Sequence, residues 1–113
     1  MAFTIVACSG ISNTGKLTFH AGTALVCRCG GLVEDCVRAR TASLETVIRH
    51  TDRILVLDGC ADCCGKKKVR ALGIEPHLHI VATDCGIAKN GMSEPRFDEI
   101  ERLASAVLEA IKE

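Results

Sequence analysis

Three cysteines stand close together in the middle of the chain, in the segment DGCADCCGKKK at 58–68. Cys60 and Cys64 are four residues apart and can share one helical face, while Cys63 lies three residues from Cys60. The C-x2-C spacing is half of many zinc sites, but no second C-x2-C follows in this chain. A metal bound here would therefore need ligands from other parts of the sequence.

A fourth cysteine lies in the glycine-rich segment VACSGISNTGKL near the amino terminus. The segment is most of a phosphate-binding P-loop, but Leu17 follows Lys16 where that loop needs Ser or Thr to hold Mg2+. We interpret the likeness as superficial. Backbone N–H groups at the start of a helix favour anions, so we expect the loop to cradle the Cys8 thiolate. Candidate caps for that helix are Ser9, Ser12 and Asn13.

The composition narrows the functional classes. Fourteen basic and fourteen acidic residues cancel, and the chain has three Phe but neither Trp nor Tyr, so nothing favours nucleic-acid binding. No segment is apolar for long enough to cross a membrane, and the N-terminus does not resemble a signal peptide. We therefore expect a cytoplasmic protein, in which eight cysteines more often serve metal or redox chemistry than structural disulfides.

Short apolar runs alternate with segments of helical periodicity in the order βαβαβαβα. The predicted strands are 3–8, 31–36, 53–58 and 78–84. The predicted helices are 13–27, 42–50, 62–72 and 97–111, the third ending at Gly73. Two strands are apolar on both faces, as in a parallel sheet covered by helices. We predict a small three-layer α/β sandwich with a mainly parallel four-stranded sheet, flavodoxin-like or Rossmann-like, formed by residues 1–113 as one metal-binding domain.

Ligands in such folds bind at the carboxyl ends of the strands. On the predicted bounds, every strand finishes on or near a cysteine. The residues at these ends are Cys8, Cys36, Asp58 with Cys60, and Asp84 with Cys85. We expect Asp58 to support the site from behind, by orienting the Gly59–Cys60 turn or by hydrogen-bonding the backbone of a ligand.

The blocks ACSGISNTGKL, LDGCADCCGKK and HIVATDCGI, together with the cysteine of the second strand, resemble the DGC domain family over most of the chain. The family is named for its Asp-Gly-Cys motif and is described as zinc-binding on the strength of four cysteines. The resemblance implies that the metal ligands here are Cys8, Cys36, Cys60 and Cys64. Cys27 and Cys29 compete with Cys36 for the second position, but they fall at the end of the first predicted helix.

Four thiolates suit tetrahedral Zn2+ in a closed structural site, and they also suit an iron–sulfur cluster. A third alternative is thiol–disulfide exchange, in which Cys60 attacks and Cys63 resolves at the start of a helix. The spacing from Cys64 to Arg70 matches that of cysteine phosphatases, but the intervening residues are predicted to be helical. We therefore favour metal binding, and the roles of Cys63 and Cys85 stay open.

The remaining polar residues carry weaker indications. We interpret Lys66, Lys67 and Lys68 as a solvated helix face, with the alternative that they offset thiolate charge. His77 and His79 are expected at the edge of the sheet opposite the cysteines, as surface or core residues. The segment 83–95 is predicted to be a longer loop that could act as a lid.

Overall fold

The computed structural model describes residues 2–8, 10, 12–39, 44–51 and 53–112. Its strands are β1 (Phe3–Ala7), β2 (Val33–Arg38), β3 (Arg53–Asp58) and β4 (Leu78–Val81). Its α-helices are α1 (Asn13–Arg28), α2 (Leu44–Arg49), α3 (Cys64–Ala71) and α4 (Phe97–Lys112), and one 3-10 turn covers Ala82–Cys85. None of the described helices is long and apolar enough to cross a membrane.

The four strands form one sheet in the order β2-β1-β3-β4, and every pair is parallel. Helices cover both faces, so the predicted three-layer α/β sandwich with a parallel four-stranded sheet is confirmed, and its strand order is that of the flavodoxin-like folds. The chain moves outward from β1 to β2, then crosses to β3 on the other side of β1. The crevice between the carboxyl ends of β1 and β3 is the topological switch point, where ligands bind in folds of this kind.

The two faces of the sheet have separate cores because strand side chains alternate in direction. On one face, α1 and α4 pack against alternate residues of the central strands, including Ile5, Leu55 and Leu57. On the other face, α2 and α3 cover the intervening residues Val6 and Val56. We call these the α1 face and the α3 face.

Two predicted strand ends are wrong. The second strand does not end at Cys36 but continues to Arg38, so Cys36 lies inside β2 as the register partner of Ile5. The fourth strand stops at Val81, and the chain turns into the 3-10 segment that contains Asp84 and Cys85. Both are edge strands, whose single paired side leaves a weaker pattern in the sequence than the apolar central strands do.

The predicted helices are close to those observed, and differ mainly at their first residues. The second was predicted from Ala42, and residues 42 and 43 lie outside the described part of the chain. The third begins at Cys64 and not at Asp62, and the chain leaves it at Gly73, as predicted. Because α3 begins at Cys64, Cys60 lies in the loop before the helix.

Candidate metal centre

Two glycine-containing loops meet at the β1/β3 crevice. A Cβ on Gly59 would lie 2.7 Å from both the amide nitrogen of Gly15 and the carbonyl carbon of Thr14, and these backbone atoms cannot move aside independently. Gly59 is therefore required for the β3–α3 loop to contact the first turn of α1. The close approach brings the loop that carries Cys60 beside the loop that carries Cys8.

Cys8 follows β1 and is almost completely buried. Its amide donates to the carbonyl of Leu57, which keeps it aligned with β3, and by strand alternation its side chain lies on the α3 face with that of Val6. The amide of Gly10 donates to Cys8 Sγ at 3.4 Å. The glycine-rich loop thus directs a backbone N–H to the sulfur.

The other residues of that loop have structural partners. The amide of Gly15 donates to Ser12 Oγ at 3.1 Å, so Ser12 is the one of the three predicted candidates that caps α1. Ser9 lies outside the described residues. Lys16 Nζ donates to the Met92 carbonyl at 2.9 Å and to Glu94 at 2.8 Å. The lysine that suggested a P-loop anchors the segment before α4.

The loop after β3 carries Cys60, Cys63 and Cys64. The amide of Cys63 donates to the carbonyl of Cys60 at 3.1 Å, which closes a turn over the C-x2-C segment. Cys63 has φ 51° and ψ 47°, a left-handed conformation that costs a residue with a side chain roughly 1–2 kcal/mol. Cys60 Sγ lies 3.6 Å from Lys89 Nζ and 3.6 Å from Asp62 Oδ2.

Asp58, at the end of β3, is completely buried and accepts three hydrogen bonds. The amide of Gly65 donates to its Oδ1 at 2.7 Å and the amide of Lys66 donates to its Oδ2 at 3.2 Å. These N–H groups lie in the first turn of α3 and have no acceptor within the helix, and the helix dipole favours a carboxylate at this end. The third partner, His79 Nε2, lies 2.8 Å from Oδ2. Asp58 therefore stabilises the start of α3, whereas its role toward the Gly59–Cys60 turn or the backbone of a ligand stays a prediction.

His79 was expected at the edge of the sheet opposite the cysteines, but its ring lies beside Asp58. It is the register partner of Val56 and lies on the α3 face, from which its ring reaches Asp58. Asp58, Cys63 and His79 each place a potential ligand atom within 4.8 Å of the other two. His77 does lie at the amino edge, where its Nδ1 accepts from the amide of Ile54 at 3.1 Å.

The negative groups of the crevice act on one another. Partial desolvation raises the pKa of Cys64, and the charges of Cys8, Asp58, Asp62 and Cys60 raise it further. Desolvation also raises the pKa of Cys63, as do Asp58 and Cys60, whereas Lys66 and Lys67 lower it. The thiols therefore lie close enough together that each disfavours the ionisation of the others. A bound divalent cation would instead favour their ionisation. The first two lysines of the run offset part of the negative charge.

Cys36 is separated from these thiols in two ways. Its side chain packs against the core of the α1 face, and a Cβ on Gly22 of α1 would overlap its sulfur. It also pairs with Ile5, three residues before Cys8, which is roughly 10 Å along the strand. Burial and, to a smaller extent, the charge of Asp35 raise the pKa of Cys36 to about 12, although Arg38 acts in the opposite direction. The metal-ligand assignment of Cys36 stays a prediction from the family resemblance.

The remaining cysteines lie away from the crevice. Cys27 is exposed near the end of α1, and Cys29 caps that helix and packs against the core of the α1 face. Cys85 packs against the same core, where burial and Asp84 raise its pKa. Of the cysteines predicted to cluster at the strand ends, those of the loops after β1 and β3 come together, whereas Cys36 and Cys85 pack against the core of the α1 face.

Sequence reasoning missed the contact between Asp58 and His79. Asp58 is two residues beyond Val56, so alternation places both on the α3 face, and Leu78 and Ile80 pack on the opposite face from His79. The face of His79 was thus available from the sequence. Its position along the strand direction could not be predicted, because that position depends on the register between β4 and β3.

Among known proteins, the chain matches the sequence model of one family. Searches of curated proteins and of solved structures gave no match. The sequence model of the DGC domain matches residues 4–107, from the second residue of β1 into α4, which is nearly the whole chain. The crevice of this α/β sandwich, with Asp58, Gly59 and Cys60 at its centre, is thus found in a chain that belongs to the DGC domain family.

Proposed function

We propose that this chain binds Zn2+ through the thiolates of Cys8, Cys60, Cys63 and Cys64. The observation that carries the proposal is the convergence of two loops at the β1/β3 switch point, each of which carries cysteine. A set of four soft thiolate donors suits Zn2+ in tetrahedral coordination. The bound metal would offset half of the charge of the four thiolates and fix the β1–α1 loop against the β3–α3 loop.

This ligand set differs in one position from the set that the family resemblance implies. We place Cys63 where the resemblance places Cys36, because Cys63 shares the loop and the electrostatic surroundings of Cys64. Cys36, in contrast, packs under α1 on the other face of the sheet. Asp58 already accepts three hydrogen bonds, so we assign Asp58 and His79 to the support of α3 and its cysteines and not to the metal.

The test is metal content by mass spectrometry on reduced protein purified without oxygen. We expect one zinc per chain, and loss of most of it in Cys60→Ser and Cys64→Ser. Cys27→Ser is the matched control, since that exposed side chain lies at the other end of α1 and its variant should keep the metal. Full metal content in all the crevice variants would contradict the proposal.

Two further variants in the same assay separate the two ligand sets, and the elements found in the wild type separate the two cofactors. If the proposal holds, Cys63→Ser loses zinc and Cys36→Ser retains it, whereas the family-derived set predicts the reverse. Iron together with inorganic sulfide would instead indicate an iron–sulfur cluster on the same thiols.

A second candidate function is thiol–disulfide exchange between Cys60 and Cys63. It is favoured by the turn that the Cys63 amide closes on the Cys60 carbonyl at 3.1 Å. Two N–H groups of the helix start, however, donate to Asp58 and not to Cys60. Peptide mapping after mild oxidation tests this alternative, which requires a reversible Cys60–Cys63 disulfide.

A further inference from the structure

A polar cavity of about 480 Å³ lies between the segment 86–96 and α4, next to the crevice. This volume is within the range of small-molecule sites. Lys89 joins the two regions, since it lines the cavity while its Nζ lies 3.6 Å from Cys60 Sγ. None of the described cysteines lines the cavity, so Lys89 is the residue through which a molecule bound there would be linked to Cys60.

One wall of the cavity is held in place by Asn13, which is almost completely buried. Its Nδ2 donates to the Ala88 carbonyl at 2.9 Å, and its Oδ1 accepts from the amide of Asn90 at 2.6 Å. Its own amide donates to the Gly91 carbonyl at 2.9 Å. Together with the bonds from Lys16, these contacts fix the segment predicted as a lid against α1. The cavity is thus formed before a ligand arrives, which lowers the entropic cost of binding.

Among the described residues that line the cavity, some charged side chains have an ion-pair partner and others do not. Glu94 pairs with Lys16 at 2.8 Å, Arg96 pairs with Asp98 at 2.9 Å, and Glu99 accepts from the amide of Arg96. In the described part of the chain, the two other cationic lining residues, Lys89 and Arg102, form no ion pair with a carboxylate. Arg102 makes a long hydrogen bond of 3.4 Å to the Gly86 carbonyl.

We propose that this cavity binds a small molecule carrying a carboxylate or phosphate group, held by Lys89 and Arg102 next to Cys60. Both cations offer several N–H donors, and such charge-assisted bonds are the usual means of holding oxyanions. This inference goes beyond metal binding and does not depend on it, because neither cation is among the proposed metal ligands.

The test is a titration of the reduced, isotopically labelled protein with inorganic phosphate and, separately, with succinate at matched ionic strength, followed by NMR. We expect saturable shifts at the amides of Gly86, Lys89 and Arg102. Lys89→Gln and Arg102→Gln should each weaken binding about tenfold or more, since each removes one charge-assisted hydrogen bond. Arg70→Gln, an equal change of charge at the far end of α3, should stay within about twofold of wild type.

The two probes distinguish the source of the oxyanion, since tighter binding of phosphate indicates a phosphate-bearing ligand and tighter binding of succinate a carboxylate-bearing one. Failure of both probes to saturate in the millimolar range would overturn the proposal, as would equal weakening in Arg70→Gln. Metal content measured on the same samples keeps the two proposals separate, because a zinc-loaded protein that binds neither probe contradicts only the cavity.

Discussion

The cysteines of the crevice and those packed against the α1 face have the same side chain in opposite surroundings. Cys8, Cys60, Cys63 and Cys64 lie where loops from β1 and β3 meet, among backbone N–H groups and charged residues. Cys29, Cys36 and Cys85 pack against apolar side chains of one core. The comparison shows that the local backbone, and not the number of cysteines, decides which thiols are available for chemistry.

The largest expected effect is on alkylation, and it separates core-packed Cys36 from Cys27, an exposed cysteine outside both groups. Since the pKa of Cys36 is about 12 against 9.0 for an ordinary thiol, its thiolate fraction at pH 8 is roughly a thousandfold smaller. Iodoacetamide labelling of reduced protein, resolved by peptide mass spectrometry, should therefore modify exposed Cys27 long before Cys36. Labelling of Cys36 as fast as Cys27 under native conditions would mean that its sulfur is not packed under α1.

The next effect concerns the contact that brings the crevice loops together. Gly59→Ala places a Cβ against the backbone of Thr14 and Gly15, so we expect the free energy of unfolding to fall by about 3 kcal/mol. Gly31→Ala is the control, because a Cβ there meets nothing within 4 Å. Urea denaturation of both variants gives the comparison, and equal stability would show that the loops do not depend on Gly59.

Asp58→Asn should have a somewhat smaller effect. The substitution keeps the shape of the side chain but removes the negative charge of the carboxylate, which accepts hydrogen bonds from two N–H groups of α3 and from His79. We expect the free energy of unfolding to fall by about 2 kcal/mol. Exposed Asp62 provides the control on the same loop, and Asp62→Asn should change stability by less than about 0.5 kcal/mol. Similar losses in the two variants, measured by urea denaturation, would argue against a special role for Asp58.

The sequence was sufficient for the central part of the fold. β1 and β3 are continuous apolar runs followed by glycine-containing loops, so their positions and their parallel arrangement could be predicted. That they are neighbours, with a crevice between their carboxyl ends, is known only from the structure. The end of β2 could not, because this edge strand exposes Glu34 and Asp35 and its apolar pattern is interrupted. Cys36 was consequently placed at the end of a strand that continues for two more residues.

The contacts within the site depended on information that local patterns do not contain. Asp58 binds residues 7, 8 and 21 positions further along the chain, and the last of these depends on the register of β4. The left-handed conformation of Cys63 likewise follows from how the loop enters α3, and no glycine marks it.

The central claim is that thiolates from both loops bind one metal ion, and zinc X-ray absorption spectroscopy tests it most directly. We expect four Zn–S distances of about 2.3 Å in the wild type and three in Cys8→Ser, in the variant molecules that retain zinc. A first shell with one sulfur and lighter atoms would indicate the set of Cys63, Asp58 and His79 instead, and four sulfurs in Cys8→Ser would show that the β1 loop takes no part.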